Sequence, residues 1–190
     1  MLSYFPALWW ISGAELAKLG GLQQTGSEMI LLVMGVAGSG KSTVGRMLAE
    51  RLSWVYLEAD DFHSAADKGK MHRGVPLTEA DRLPWLESLH AELLTQAAKD
   101  KNVVLACSAL SEAYRRILME GLDVKLLYLR GSKELIAERL RNRASHFAGE
   151  AILDDQFVVL EEPRNALVRD ITEDPEKIVE EVLRKIARSA

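Results

Sequence analysis

Met29-Ile-Leu-Leu-Val-Met-Gly35-Val36-Ala37-Gly38-Ser39-Gly40-Lys41-Ser42-Thr43 decides how the rest of the chain is read. Its first six residues are an unbroken apolar run, long enough for a strand buried on both faces. Gly35 to Ser42 then fits G-x-x-x-x-G-K-[ST], and Val44, Met47, Leu48 and Leu52 recur at helical spacing behind it. Strand, glycine-rich turn and helix in that order make a phosphate-binding loop. The glycines allow backbone angles and close approaches that a Cβ would block, so successive N–H groups can converge on phosphate oxygens. The N-terminus of the helix adds partial positive charge. Lys41 is the side chain to reach the β- and γ-phosphates, and the Ser42 hydroxyl is the one to ligate Mg²⁺. Residues 35–43 are therefore expected to hold a nucleoside triphosphate.

Upstream, Phe5 to Ile11 is apolar but too short to span a bilayer, and no basic region precedes it as in a signal peptide. Gly20-Gly21 and the polar stretch Gln23 to Glu28 read as a linker. Met29 opens the first core strand, so residues 1–28 are expected to be a peripheral N-terminal extension and residues 29–190 one domain. The net charge of −4 argues against a nucleic-acid surface. The single cysteine, Cys107, excludes an internal disulfide and a multi-cysteine metal site, and a cytoplasmic protein is the simplest fit.

Downstream, Trp54 to Leu57 reads as a second strand running into Glu58-Ala-Asp60-Asp61-Phe-His63. Phosphoryl transfer to a hydroxyl needs such acids, one near the Mg²⁺ shell and one to accept the hydroxyl proton. Residues 64–83 are polar and turn-rich, and Pro84 suits the first turn of a helix whose apolar face carries Trp85, Leu89 and Leu93. Trp85 reads as a core residue rather than a stacking platform. A third strand, Asn102 to Ala106, does not end in an acid, so the metal-side carboxylate has to come from the second. No Asn-Lys-x-Asp signature is present, which favours ATP over GTP.

Tyr114-Arg115-Arg116 falls on a short helix, with the arginines either solvated or touching an anion. A fourth strand spans Val124 to Leu129, and a helix from Lys133 carries Arg139, Arg141 and Arg143 up to Ser145-His146-Phe147. Arginines placed before a loop can clamp triphosphate oxygens as a lid closes, and Arg143 is the best placed. Leu167 to Ile171 gives a fifth strand, and Asp174-Pro175-Glu176 starts a closing helix buried through Ile178, Val179, Val182, Leu183 and Ile186. The alternation predicts an α/β, three-layer fold: a five-stranded parallel sheet with helices on both faces and a short lid.

GVAGSGKST, ADDFH (59–63), KM…G.PL…DR.PWL (70–86), CSAL…YR (107–115), HF (146–147) and QF..LE.P (156–163) together resemble the gluconokinases, ATP-dependent kinases of D-gluconate. The resemblance runs from Met29 to Ile186. It implies a small P-loop kinase fold, a possible homodimer, and transfer of the γ-phosphoryl of ATP to the 6-hydroxyl of D-gluconate. It also implies roles: Asp60 beside the accepting hydroxyl, Glu58 helping to hold Mg²⁺ indirectly, and His63, Lys70, Arg82 and His146 as partners of the sugar acid, with Gln156 a weaker one. The chain departs from the family in having Asp67 for Asn, Ser145 for Gly, Ala148-Gly149 for Met-Pro and Asp155 for Ser. Asp67 and Asp155 are read as outside the pocket. The alternatives are a kinase of another small hydroxy acid and a nucleotide-binding regulatory protein without transferase activity.

Overall fold

In the computed structural model, residues 28–73, 75–142 and 149–189 are described. The apolar run forms β1 (Ile30–Met34), and all five of its residues are buried. Side chains alternate across a strand, so Leu31 and Val33 enter one apolar cluster while Ile30, Leu32 and Met34 enter another on the opposite face. An unbroken apolar run is what a central strand of a two-faced sheet requires.

The other elements follow in alternation: α1 (Lys41–Leu52), β2 (Val55–Glu58), a 3₁₀ turn (Ala59–Phe62), α2 (Ala65–His72), α3 (Glu79–Ala97) and β3 (Val103–Ala106). Then come α4 (Glu112–Met119), β4 (Val124–Arg130), α5 (Lys133–Arg141), α6 (Gly149–Val159), β5 (Leu167–Asp170) and α7 (Pro175–Ser189). The five strands lie in the order β2-β3-β1-β4-β5, and every pairing is parallel. Helices α1, α5 and α7 cover one face through Val44, Leu48, Ile136, Val179 and Val182, and α3 covers the other through Leu86, Leu89 and Leu93. The predicted sheet, its five strands and the buried face of the closing helix are all present. No described helix is long and apolar enough to cross a membrane.

Strand limits move by a residue or so, and β2 shifts to include Glu58. The larger correction concerns residues 64–83, which are mostly helical. Ser64 caps α2: its hydroxyl oxygen accepts from the Asp67 N–H at 3.1 Å and its O–H donates to Asp67 Oδ2 at 2.6 Å. Asp67 is buried in that cap. Helix α3 starts at Glu79, so Pro84 sits in its second turn, not its first. The start is set by a capping box in which Thr78 Oγ1 accepts from the Asp81 N–H, and the Thr78 N–H donates to Asp81 Oδ2 at 2.9 Å.

Asp81 also joins two helices, because its Oδ1 takes a 2.6 Å bond from Lys70 Nζ on α2. That bond, followed by the two from Thr78, holds the Asp81 carboxyl down at about 2. A carboxyl whose pKa is lowered by folding adds stability above its ordinary value near 3.8, and the contribution is lost as pH falls toward 2. Asp81→Asn is therefore expected to flatten the acid limb of stability between those values, read by urea unfolding at stepped pH. Thr78→Ala is expected to cost about 1 kcal/mol, lowering the melting temperature by about 2–4 °C in calorimetry. An unchanged melt would remove the capping box from the account of where α3 begins.

Candidate active site

Parallel strands end on one edge of the sheet, and here the register makes three of those ends level. Val33 of β1 and Glu58 of β2 both lie opposite Ala106 of β3. The glycine loop, the acidic turn and Cys107 are therefore brought together at the crevice where the connection leaving β1 runs toward β2 and the one leaving β3 runs the other way, toward β4. Lys41, Asp60 and Glu58 all act electrostatically on the Cys107 thiol, which burial pushes up to about 12. The thiol is held in its protonated form.

The loop has the geometry its sequence implies. A Cβ on Gly35 would lie 2.7 Å from Ser39 Oγ and 2.8 Å from the Leu129 carbonyl, so only glycine lets the loop fold back here. Gly40 takes the left-handed conformation (φ 98°) immediately before α1, and no side chain caps that helix. Its first N–H groups are left for an anion. Lys41 Nζ donates to the Val36 carbonyl at 3.0 Å, which draws the ammonium back along the loop. The Ala37 N–H donates to Gln156 Oε1 at 2.6 Å, so the side chain considered a weaker sugar-acid partner is bonded to the loop instead.

Across β3, Glu58 accepts a 2.5 Å hydrogen bond from the Tyr56 hydroxyl. Burial, then the bond to Glu58, raises the Tyr56 pKa well above the ordinary phenol range, with Ser42 and Arg46 acting in the opposite direction. Asp60 is exposed on the 3₁₀ turn. The turn is anchored from below by Trp85, whose Nε1–H donates to the Ala59 carbonyl at 2.8 Å. Trp85 is buried, as expected of a core residue.

His63 is stacked on that indole, with ring centroids 4.4 Å apart. It is buried, its Nδ1 has no partner among the described residues, and desolvation lowers its pKa against the pull of Asp60 and Asp67. Arg82 Nη1 donates to the Tyr114 hydroxyl at 3.0 Å and lies 3.7 Å from Glu79, and its charge acts on His63. Lys70 is held by Asp81. Arg143 and His146 lie outside the described residues.

Two arginine readings change. Arg115 is neither solvated nor set on an anion: it is buried, and its Nη1 donates to the carbonyls of Ala109 and Leu110. Arg139 donates to the Ile171 carbonyl rather than reaching over the triphosphate position. It thereby walls a cavity of about 350 Å³ beside the loop, with Thr43, Asn142, Glu173 and Pro175. Sequence reasoning did not find Asn142, Glu173 or Tyr56. Asn142 and Glu173 reach the cavity, and the Tyr56 ring meets α1, only through the packing of separate segments, and no local pattern marks them. A larger hollow of about 1020 Å³ lies between α4 and residues 161–165; Arg115, Glu161 and Pro163 of the sequence motifs line it, and no residue of the phosphate loop or the acidic turn does.

Residues 30–163 match the model of a family described as an AAA domain. The chain is 47% identical over 153 residues to a probable gluconokinase of Rattus norvegicus, covering 70% of this chain and 83% of that protein. Among solved structures, a gluconokinase from Sinorhizobium meliloti superposes with a TM-score of 0.72 at 35% identity, covering 87% of this chain and 94% of that one. A sugar kinase from a Janibacter species superposes with a TM-score of 0.77 at 36% identity, covering 85% and 95%. The phosphate loop facing an acidic turn across the middle strand is thus set in a fold and a sequence shared with known sugar-acid kinases, and the chain belongs to the gluconokinase family.

Proposed function

We propose that this chain transfers the γ-phosphoryl group of ATP to the 6-hydroxyl of D-gluconate, giving 6-phospho-D-gluconate and ADP. The observation that carries the reading is the level register of β1, β3 and β2, which sets a nucleotide-phosphate loop opposite Asp60. Membership of the gluconokinase family supports gluconate as the acceptor. The cavity walled by Arg139, Asn142 and Pro175 opens beside the same loop and suits the nucleoside end of ATP. A cytoplasmic location agrees with this chemistry.

The loop N–H groups and the uncapped start of α1 bind the β- and γ-phosphates. Lys41 exchanges a neutral carbonyl for phosphate oxygens, a stronger, charge-assisted partner. Asp60 accepts the proton of the 6-hydroxyl while the oxygen of that hydroxyl bonds to the γ-phosphorus. The bond from that phosphorus to the β-bridging oxygen breaks, and its electron pair leaves with ADP. Neutral His63 offers a polar edge to the polyhydroxyl chain, Arg82 and Lys70 supply positive charge for the carboxylate, and Arg143 and His146 are assigned the phosphate and sugar-acid roles of the family.

The donor set fits Mg²⁺: Ser42 and Glu58 offer hard oxygens. Mg²⁺ commonly takes one or two protein oxygens and completes its shell with waters and the nucleotide's phosphates. When bound, Mg²⁺ neutralises phosphate charge.

Lys41→Ala is expected to lower kcat by about 10²–10³-fold with the melt unchanged, and near-normal kcat would refute the loop's role. Asp60→Asn is expected to lower kcat by about 10²–10⁴-fold while ATP affinity is kept. An equal loss in both would make it a metal or structural residue. ADP release should be saturable and selective for D-gluconate over other aldonic acids, shikimate, glycerate and AMP. ATP binding with no acceptor turned over would favour the regulatory reading.

A further inference from the structure

Tyr56 has no place in the chemistry described so far, yet several features of the fold converge on its hydroxyl. It stands two residues before Glu58 on β2, so both side chains leave the same side of the strand. Its ring passes close under α1 at Gly45, where a Cβ would lie 3.1 Å from the ring Cε2. The Arg46 guanidinium covers the ring, 5.0 Å from its centroid. The ring is thereby held between helix and strand, and its one polar atom is delivered to the end of β2. There the hydroxyl donates to Glu58 Oε2 at 2.5 Å.

The direction of this bond follows from the groups. An ionised carboxylate can only accept, so the phenol proton goes to Glu58. The bond engages Oε2 and leaves Oε1 to face a cation or the water it carries.

We propose that Tyr56 is a positioning residue of the phosphoryl-transfer site, fixing the Glu58 carboxylate so that its other oxygen faces the divalent cation of the bound nucleotide or a water of that cation. This rests on the kinase reading above. A residue that orients metal-side ligands is worth about 10–100-fold in metal affinity, whereas a residue that only fills space would show its loss in stability.

Tyr56→Phe keeps the ring, its packing and the contact with Arg46, and removes only the hydroxyl. Mn²⁺ binding in the presence of a non-hydrolysable ATP analogue, followed by electron paramagnetic resonance, reads the effect without turnover. The variant is expected to bind Mn²⁺ about 10-fold more weakly and to need correspondingly more Mg²⁺ for half-maximal activity. Its KM for gluconate and its apo-protein melt should not change. Because the phenol acts through Glu58, a cycle with Glu58→Ala should be non-additive, Tyr56→Phe adding less than about 2-fold to the loss in the Glu58→Ala background. Unchanged Mn²⁺ affinity, or additive losses, would overturn the role of Tyr56 and leave the kinase reading in place. Wild-type protein that binds Mn²⁺ no better with the nucleotide analogue than without it would overturn both.

Discussion

The site depends on β1 pairing in parallel with β3 on one side and β4 on the other. Parallel strands share a polarity, so their C-terminal ends face one edge, and the match of Val33 and Glu58 to the same residue, Ala106, makes those ends level. A one-residue slip would exchange the two faces of β1 and drive Leu31 and Val33 into the cluster built for Ile30, Leu32 and Met34. Burial on both faces thus enforces the register, and the register sets the distance between the phosphate loop and the acidic turn. Core packing and catalytic geometry are one constraint in this molecule.

The acceptor side is secured differently, from α3. Trp85 pins the carbonyl at Ala59 and carries the His63 ring, so the acidic turn inherits its position from the helix rather than from its own polar residues. The helix is in turn fixed at its start by Thr78 and Asp81, and Asp81 reaches Lys70 on α2. Lys70 and Arg82 are both paired, but Glu79 is largely exposed and exposed ion pairs contribute little. Arg82 can therefore exchange that carboxylate for another anion at small cost, whereas Lys70 is held in the 2.6 Å bond that joins α2 to α3. Positive charge is stored there without being buried unpaired.

The parts of this architecture legible in the sequence are those set by local rules. The glycine spacing before Lys41 constrains backbone angles within a few residues, and the apolar run of β1 signals burial on both faces. Asp60 could be singled out because it follows a strand that follows such a loop. The helix starts at Ser64 and Thr78 were missed because in each the acid three residues on is an Asp, where Glu or Gln is the usual signal. Pro84 then drew the start of α3 too far along. Arg115 was unreadable for a different reason. The carbonyls it binds are exposed by a turn at Ala109, whose φ of 43° no pattern in the sequence announces. Tyr56 belongs to the same class, since its hydroxyl acquires meaning only when α1 and β2 are packed together.

The phosphate loop is braced by bonds to the protein itself. The Lys41 ammonium donates to the Val36 carbonyl and the Ala37 N–H to Gln156. Each of these bonds joins a neutral acceptor. A triphosphate offers charged oxygens to the same donors, and charge-assisted bonds are roughly twice as strong as neutral ones. Exchange therefore favours the ligand without rebuilding the backbone, whose shape the glycines and the helix start already determine. Binding energy is left for aligning the two reacting oxygens, which is where phosphoryl transfer needs it.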